Sequence, residues 1–551
     1  MNPRKIRSLV VLTLIVAIAA GAFYMNFNRS AASAIPAPLA MEGAAEGASI
    51  LTAGAPTTGQ SGPIVGNPVR AVSFDGDLRD LPQVGPGAQR LMQEMTAPSS
   101  GEATLDGSAP DSVLQSINAV NAMPGLTANF AGLDLSAWGA GWPPDTNGDV
   151  GPSHYIQTVN TSIGIYNKAG TALTRITFNN LFDGTGTPCD AQNMGDPVVL
   201  YDQYSGRWIL TDFAWSSTRG PFYECIAVSK TTDPVSGGWW FYALQTNATQ
   251  LNDYPKLGVW PDGIYMSANM FTRAKTYAGV KVWALNRADM ISGAPLRTVA
   301  FTLGTTYFTL YPSTVASTHT VPAGTPNYFT SIYGVTNAVR FWKFTVNWTT
   351  PSSSTFTGPV NATVATFTKY TTRIPQLGSS TTLDTLGDRH MVQVQFTNLN
   401  NTPALWLTHT VASNSVGGIR WYEIRNLSGT PTVYQQGTYQ PDTNHRWMGS
   451  LAVDKMGNMA LGYSVSSSAM YPAIRYAGRL VTDALGTLGQ GEATLIAGTG
   501  SQTSYTRWGD YSAMVLDTDG CTFWYTTEYY ATTGTNWQTR IGAFKFSTCT
   551  P

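Results

Sequence analysis

Apolar and polar positions recur in one pattern through roughly the last four hundred residues: a polar or acidic start, an apolar run, a turn ending in glycine, then a second apolar run rich in aromatic and β-branched side chains. The clearest copies are GDPVVLYDQYSGRWIL (195–210), DYPKLGVWPDGIYMSAN (253–269), RWMGSLAVDKMGNMALGYS (446–464) and RWGDYSAMVLDTDGCTFWYT (507–526). Each reads as a β-hairpin. Their turn glycines, Gly206, Gly263, Gly457 and Gly520, are 57, 194 and 63 residues apart, and the long gap has room for three units of about 60. Weaker copies turn at Gly324 and at Asn400-Asn401, and an earlier one, DTNGDVGPSHYIQTVN, turns near Gly151, which brings the number of units to seven. A hairpin unit of this length cannot bury both faces alone and must stack on its neighbours. The pattern therefore predicts an all-β fold, a single β-propeller of seven blades over residues 128–551.

Composition sharpens the picture in three ways. Sixteen Trp, 26 Tyr and 21 Phe supply bulky wedges between blades. With 32 basic and 33 acidic residues, a net charge of -1 leaves no cationic surface for a polyanion, so nucleic acid is excluded as a partner. Arg4, Lys5 and Arg7 precede an apolar stretch at 9–23, as in an export signal, with small-residue cleavage sites at 20–22 and 32–34. Residues 1–34 thus read as a signal peptide, with an uncleaved membrane anchor as the alternative. Residues 35–127, rich in Ala, Gly, Pro and Ser, read as a low-complexity spacer or propeptide. The expected location is secreted or extracytoplasmic.

In such a compartment four cysteines are free to pair. Cys521 opens the second strand of the last blade and Cys549 follows its third, while Cys189 precedes the second blade and Cys225 lies on a strand within it. Those positions predict Cys521–Cys549 and Cys189–Cys225 disulfides. The last blade shows only three strands of its own, so the strand-like segment at 129–135 is expected to supply a fourth and close the ring.

From Pro143 onwards the segments PPDTNGDVGPSHYIQTVN, DPVVLYD, DYPKLGVWPDG, GGIRWYEIR, HRWMGSLAVD and RWGDYSAM follow in order. Together they resemble a large, poorly characterised family of secreted bacterial β-propeller proteins with a PPDxNGDVGP opening motif and an RWGDYSAM closing blade. The broader likeness is to sialidase-like propellers. The resemblance implies export and a propeller, and it carries no established reaction.

Two constellations carry candidate chemistry. Asp145, Asn147 and Asp149 place oxygen ligands on alternate residues, as calcium loops do, although Val150 stands where such a loop needs glycine and Ile156 where it needs an acid. Calcium is the one cofactor expectation, and a plain structural turn is the competing one. The second constellation lies at the blade starts: Asp253 and Lys256, Asp388, Arg389 and His390, His445 and Arg446, Arg507 and Asp510. Innermost strands line the central channel, so polar residues at equivalent positions converge there. Arg389, Arg446 and Arg507 would suit one carboxylate through bidentate hydrogen bonds. Sialidases pair such a cluster with a tyrosine nucleophile beside a glutamate, and with an aspartate as acid/base; Tyr422 and Glu423 are the candidates for the first two here, but being adjacent on a strand they point to opposite faces. Ion pairing of the arginines with blade-start aspartates is the simpler expectation. The remaining histidines, His154, His319 and His409, are scattered, and Glu528 is a lone acid among aromatic residues.

Three functions follow. The first is a monomeric surface or secreted propeller that binds an extracellular glycan, polymer or protein, without catalysis assigned. The second is a sialidase-like hydrolase or lyase built on the arginine cluster. The third is a structural or adhesive envelope component tethered through its N-terminus.

Overall fold

The computed structural model describes residues 59–83, 90–91, 95, 111–119, 121–137, 141–316 and 318–550. The expected signal segment lies outside the described residues. Local turn chemistry explains the hairpins. Gly206, Gly457 and Gly520 hold φ of +67°, +90° and +74°, left-handed values that cost glycine little. The weak copy near residue 400 uses Asn400 and Asn401, both at positive φ, between paired Leu399 and Thr402. That is the asparagine-tolerant form of a two-residue hairpin turn.

Among the described residues the strands form seven antiparallel sets, at 147–177, 198–247, 250–303, 311–363, 394–439, 445–496 and 513–545. The first strand of each set touches the first strand of the next, and Ala513–Leu516 of the seventh returns to Asn147–Val150 of the first. That cycle of contacts makes the molecule a β-propeller around a central axis. One link is a parallel ladder, in which Ser313 of the fourth unit faces Val394 of the fifth.

Apolar cores lie between neighbouring sheets. Val198, Ile209 and Ile226 of the second unit meet Leu257, Ile264 and Met266 of the third, and Trp406 and Trp421 of the fifth meet Leu451 and Tyr463 of the sixth. Trp208, Trp260, Trp342, Trp421, Trp447 and Trp508 are wholly buried. Truncating such a ring costs about 3–5 kcal/mol.

The seventh unit is completed by Ala128–Asp134, antiparallel to Gln538–Lys545 with Phe130 opposite Ile541. This is the segment the sequence places there. Both expected disulfides are formed, Cys189–Cys225 and Cys521–Cys549.

The expected spacer is not wholly separate from the ring. Ser61–Val65 adds a fifth strand to the third unit, and Val72–Phe74 adds one to the second. Gln83 Oε1 accepts from the Arg175 N–H and the Thr174 hydroxyl at the edge of the first unit. Leu114–Gln115 lies parallel to Thr432–Tyr439 of the fifth, and Asn121 bridges to Gln490 of the sixth. These short segments carry no sustained apolar period, although Val72 and Phe74 pack against the core beside the second unit. They cap rows of unpaired N–H and C=O groups on outermost strands, which would otherwise be open edges.

Candidate binding site at the mouth of the channel

A backbone feature repeats where the innermost strands begin. Asp145, Asp196, Tyr254, Thr309 and Met448 have φ of 48°, 53°, 56°, 45° and 51°, although none is glycine. Each lies two residues before a ladder position: Asn147, Val198, Lys256, Tyr311 and Ser450. Left-handed backbone at a non-glycine residue is sparsely populated and persists only where the surroundings hold it. Five units therefore share one kink at the same end of the channel.

Around those kinks, side chains from the first, second, third, fifth and seventh units converge. The Asp510 N–H donates to Asp145 Oδ1 at 2.8 Å, and Asn160 Nδ2 donates to Asp145 Oδ2 at 2.7 Å. Asp196 Oδ2 accepts from the Tyr511 hydroxyl at 3.1 Å and the Tyr254 N–H at 3.2 Å. The Lys256 ammonium lies between two aromatic faces, 3.3 Å from the Tyr254 ring centre and 3.6 Å from that of Tyr511, and donates to the Pro255 carbonyl. Arg389 lies 4.9 Å from the rings of both Tyr254 and Phe308. Cation–π contacts of this kind strengthen out of water.

Burial dominates the electrostatics. It pushes Asp145 and Asp253 well above the ordinary carboxylate range, with neighbouring Asp196 and Asp510 adding repulsion in both cases. Asp196 is raised by the same two causes, burial and Asp510. Burial draws Lys256 well below its usual value, against the pull of Asp196, Asp510 and Asp145. Glu528, which accepts from the Gly509 N–H at 2.8 Å, is raised by burial too. Asp253 is half-buried and accepts no side-chain hydrogen bond among the described residues, and Asp510 Oδ1 is buried without a partner.

The arginines do not converge on an open point. Arg389 is bound by Asp388 at 2.7 Å, and Arg507 by Asp510 at 2.7 Å with Asp384 at 3.6 Å. Arg446 is fully buried within the sixth unit, held by Asp442 at 2.8 Å and by Glu492 of that unit's outermost strand at 2.7 Å. A guanidinium left unpaired there would be costly, which fixes it away from the mouth. Tyr422 and Glu423 fare as their spacing foretells. The Tyr422 hydroxyl bonds His409 Nε2 at 2.9 Å inside the fifth unit, while Glu423 on the opposite face takes Arg425 and Gln435. His390 faces Thr330 at 3.0 Å, and burial lowers it to about 3. His445 Nδ1 accepts from the Gly417 N–H and meets the Tyr370 hydroxyl.

The three candidate calcium ligands turn to protein donors. Besides the Asp145 bonds above, Asn147 Oδ1 accepts from the Gly148 N–H, and Asp149 from the Val150 and Tyr201 N–H groups. Burial raises Asp149 to about 7. Among the described residues no three His, Cys, Asp or Glu side chains are grouped as metal ligands. Below the mouth the channel narrows to a cavity of about 50 Å³ lined by Val198, Val259, Val315 and Gln393 among others.

Sequence reasoning missed Asp196, Tyr254, Tyr511 and Asp384 as members of this cluster. Asp196 was within reach, because GDP at 195–197 occupies the same offset in its unit as the kink residues of the other copies.

No protein-family model matches the chain, and no curated protein matches it. Among solved structures, it is similar to a Hadza microbial sialidase (TM-score 0.35, 10% identity, 74% of this chain and 66% of that one). It is similar also to an α-L-arabinanase of Penicillium chrysogenum complexed with arabinobiose (TM-score 0.34, 10% identity, 68% and 100%). A third is Drosophila Plexin A in complex with Semaphorin 1b (TM-score 0.34, 6% identity, 78% and 88%). Likeness this loose assigns no chemistry to this chain.

Proposed function

We propose that this is an extracytoplasmic binding propeller whose channel mouth holds a neutral, hydroxyl-rich glycan. The observation that carries the reading is the matching of charges at the mouth. Arg389 and Arg507 are each engaged by a carboxylate, and Lys256 is buried between two rings, so these three cations are already taken up and poorly placed for an acidic sugar. Half-buried Asp196, Asp253, Asp384 and Asp388 instead offer acceptor oxygens. Carboxylates are strong acceptors for sugar hydroxyls. The two disulfides fit an oxidising compartment.

The test is to screen the purified full chain against neutral, sialylated and uronic-acid glycans, reading binding by calorimetry and released products by mass spectrometry. Saturable binding of neutral glycans without product, weakened on the order of tenfold or more in Asp253→Ala, is expected. Binding confined to acidic glycans would overturn the reading, and released product would make the mouth an active site.

A further inference from the structure

Away from the mouth, between the two outer strands of the second unit and those of the third, lies a second cavity, of about 420 Å³. That volume is within the range that holds small organic ligands. Residues 64 and 66–69 of the N-terminal strap form one wall, and Tyr223, Gln245 and Trp283 line others. Lys281 is the single charged side chain among the lining residues. Its ammonium donates to the Thr246 carbonyl at 2.7 Å and lies 5.0 Å from the Trp283 ring centre.

This arrangement is the reverse of the mouth. There the arginines pair with carboxylates and Lys256 feels the charge of Asp196, Asp510 and Asp145; here no carboxylate is among the lining residues. A cation withdrawn from water with only a carbonyl and an aromatic face beside it is poorly compensated. Burial alone accordingly draws Lys281 down to about 8. An anion entering the cavity would supply the missing charge, and a flat apolar body would find Ile64, Val69, Tyr223 and Ala243, the apolar lining residues that stay partly open.

We propose that this cavity binds a small aromatic carboxylate, its carboxylate pairing with the Lys281 ammonium and its ring lying against Tyr223. The site owes nothing to the mouth and stands whatever the mouth binds. Because the strap forms one wall, the ligand joins the N-terminal segment to the ring.

The probe is 2-naphthoate, titrated calorimetrically into the full chain at pH 7, with neutral 2-naphthamide in parallel. Acetylation of Lys281 by acetic anhydride, followed by peptide mass spectrometry with and without saturating naphthoate, locates the site. Saturable naphthoate binding is expected, with 2-naphthamide and the Lys281→Met variant weaker by about tenfold or more. Lys281 alone among the lysines should be protected from acetylation. Equal affinity for the amide, undiminished binding by Lys281→Met, or unprotected Lys281 would each overturn the proposal. The protection measurement uses the unaltered protein, so it decides the matter even if the variant does not fold.

Discussion

Asp253 stands in a place that opposes its own ionisation. Burial raises it well above its ordinary value of 3.8, Asp196 and Asp510 add to the shift, and Arg389 and Arg507 offset only part of it. A carboxyl whose folded value exceeds its unfolded value favours the protonated folded state. Its ionisation therefore erodes stability as pH rises from 3.8 through the folded value. Asn mimics the protonated form. Asp253→Asn should leave stability unchanged in strong acid and raise it by on the order of 1 kcal/mol at neutral pH. Thermal melts of both proteins across that range check the sign, and a variant that is less stable at pH 7 contradicts this account of the charge. If the mouth is the binding site, the same change weakens the ligand, since sites are often held at a cost in stability.

Among the elements, Ala128–Asp134 matters out of proportion to its length. It pairs with Gln538–Lys545, and Leu133 and Leu135 beside its end are buried. Gln157 of the first unit accepts from the Leu133 N–H, and Thr539 of the seventh donates to the Leu133 carbonyl, so the strand ties both sides of the seam. Deleting residues 128–136 should cost about 5 kcal/mol or more, since each lost leucine alone is worth about 2–5. Thermal unfolding measures it; a melting temperature within 2 °C of the full chain, roughly 2 kcal/mol at this size, would show that closure is not needed. This strand was legible because the last blade has only three strands in sequence while its sheet needs a fourth. Ser61–Val65 and Val72–Phe74 were not, because five- and three-residue strands on an outer edge carry no period and their neighbours are Gly, Pro and Asn. The mouth was half legible. The repeat brought Asp253, Lys256, Asp388, Arg389, Arg507 and Asp510 together, but it put Arg446 with them. Nothing in the spacing shows that Glu492, on the outermost strand of the same unit, reaches back to capture that guanidinium.

At the scale of the ring, no unit has a core of its own among the described residues, since each apolar cluster is shared across a sheet-to-sheet boundary. The ring should therefore unfold in one step. In urea, tryptophan emission, which reports the wedges between sheets, and far-ultraviolet dichroism, which reports the strands, are expected to share one midpoint. Separate midpoints would mean that some units stand alone.

The seam has a further consequence for how the chain is made. Ala128–Asp134 leaves the ribosome long before its partner Gln538–Lys545, with the strands from Gly141–Trp142 to Thr522–Tyr529 in between. Until that partner arrives it is an unpaired edge, and loop closure over such a distance is slow. A polypeptide halted before residue 538 lacks the strand that pairs with Ala128–Asp134, so that edge stays open and exposed to proteases. Closure thus doubles as a proofreading step, by which only chains translated through the last blade acquire the protection of the finished ring.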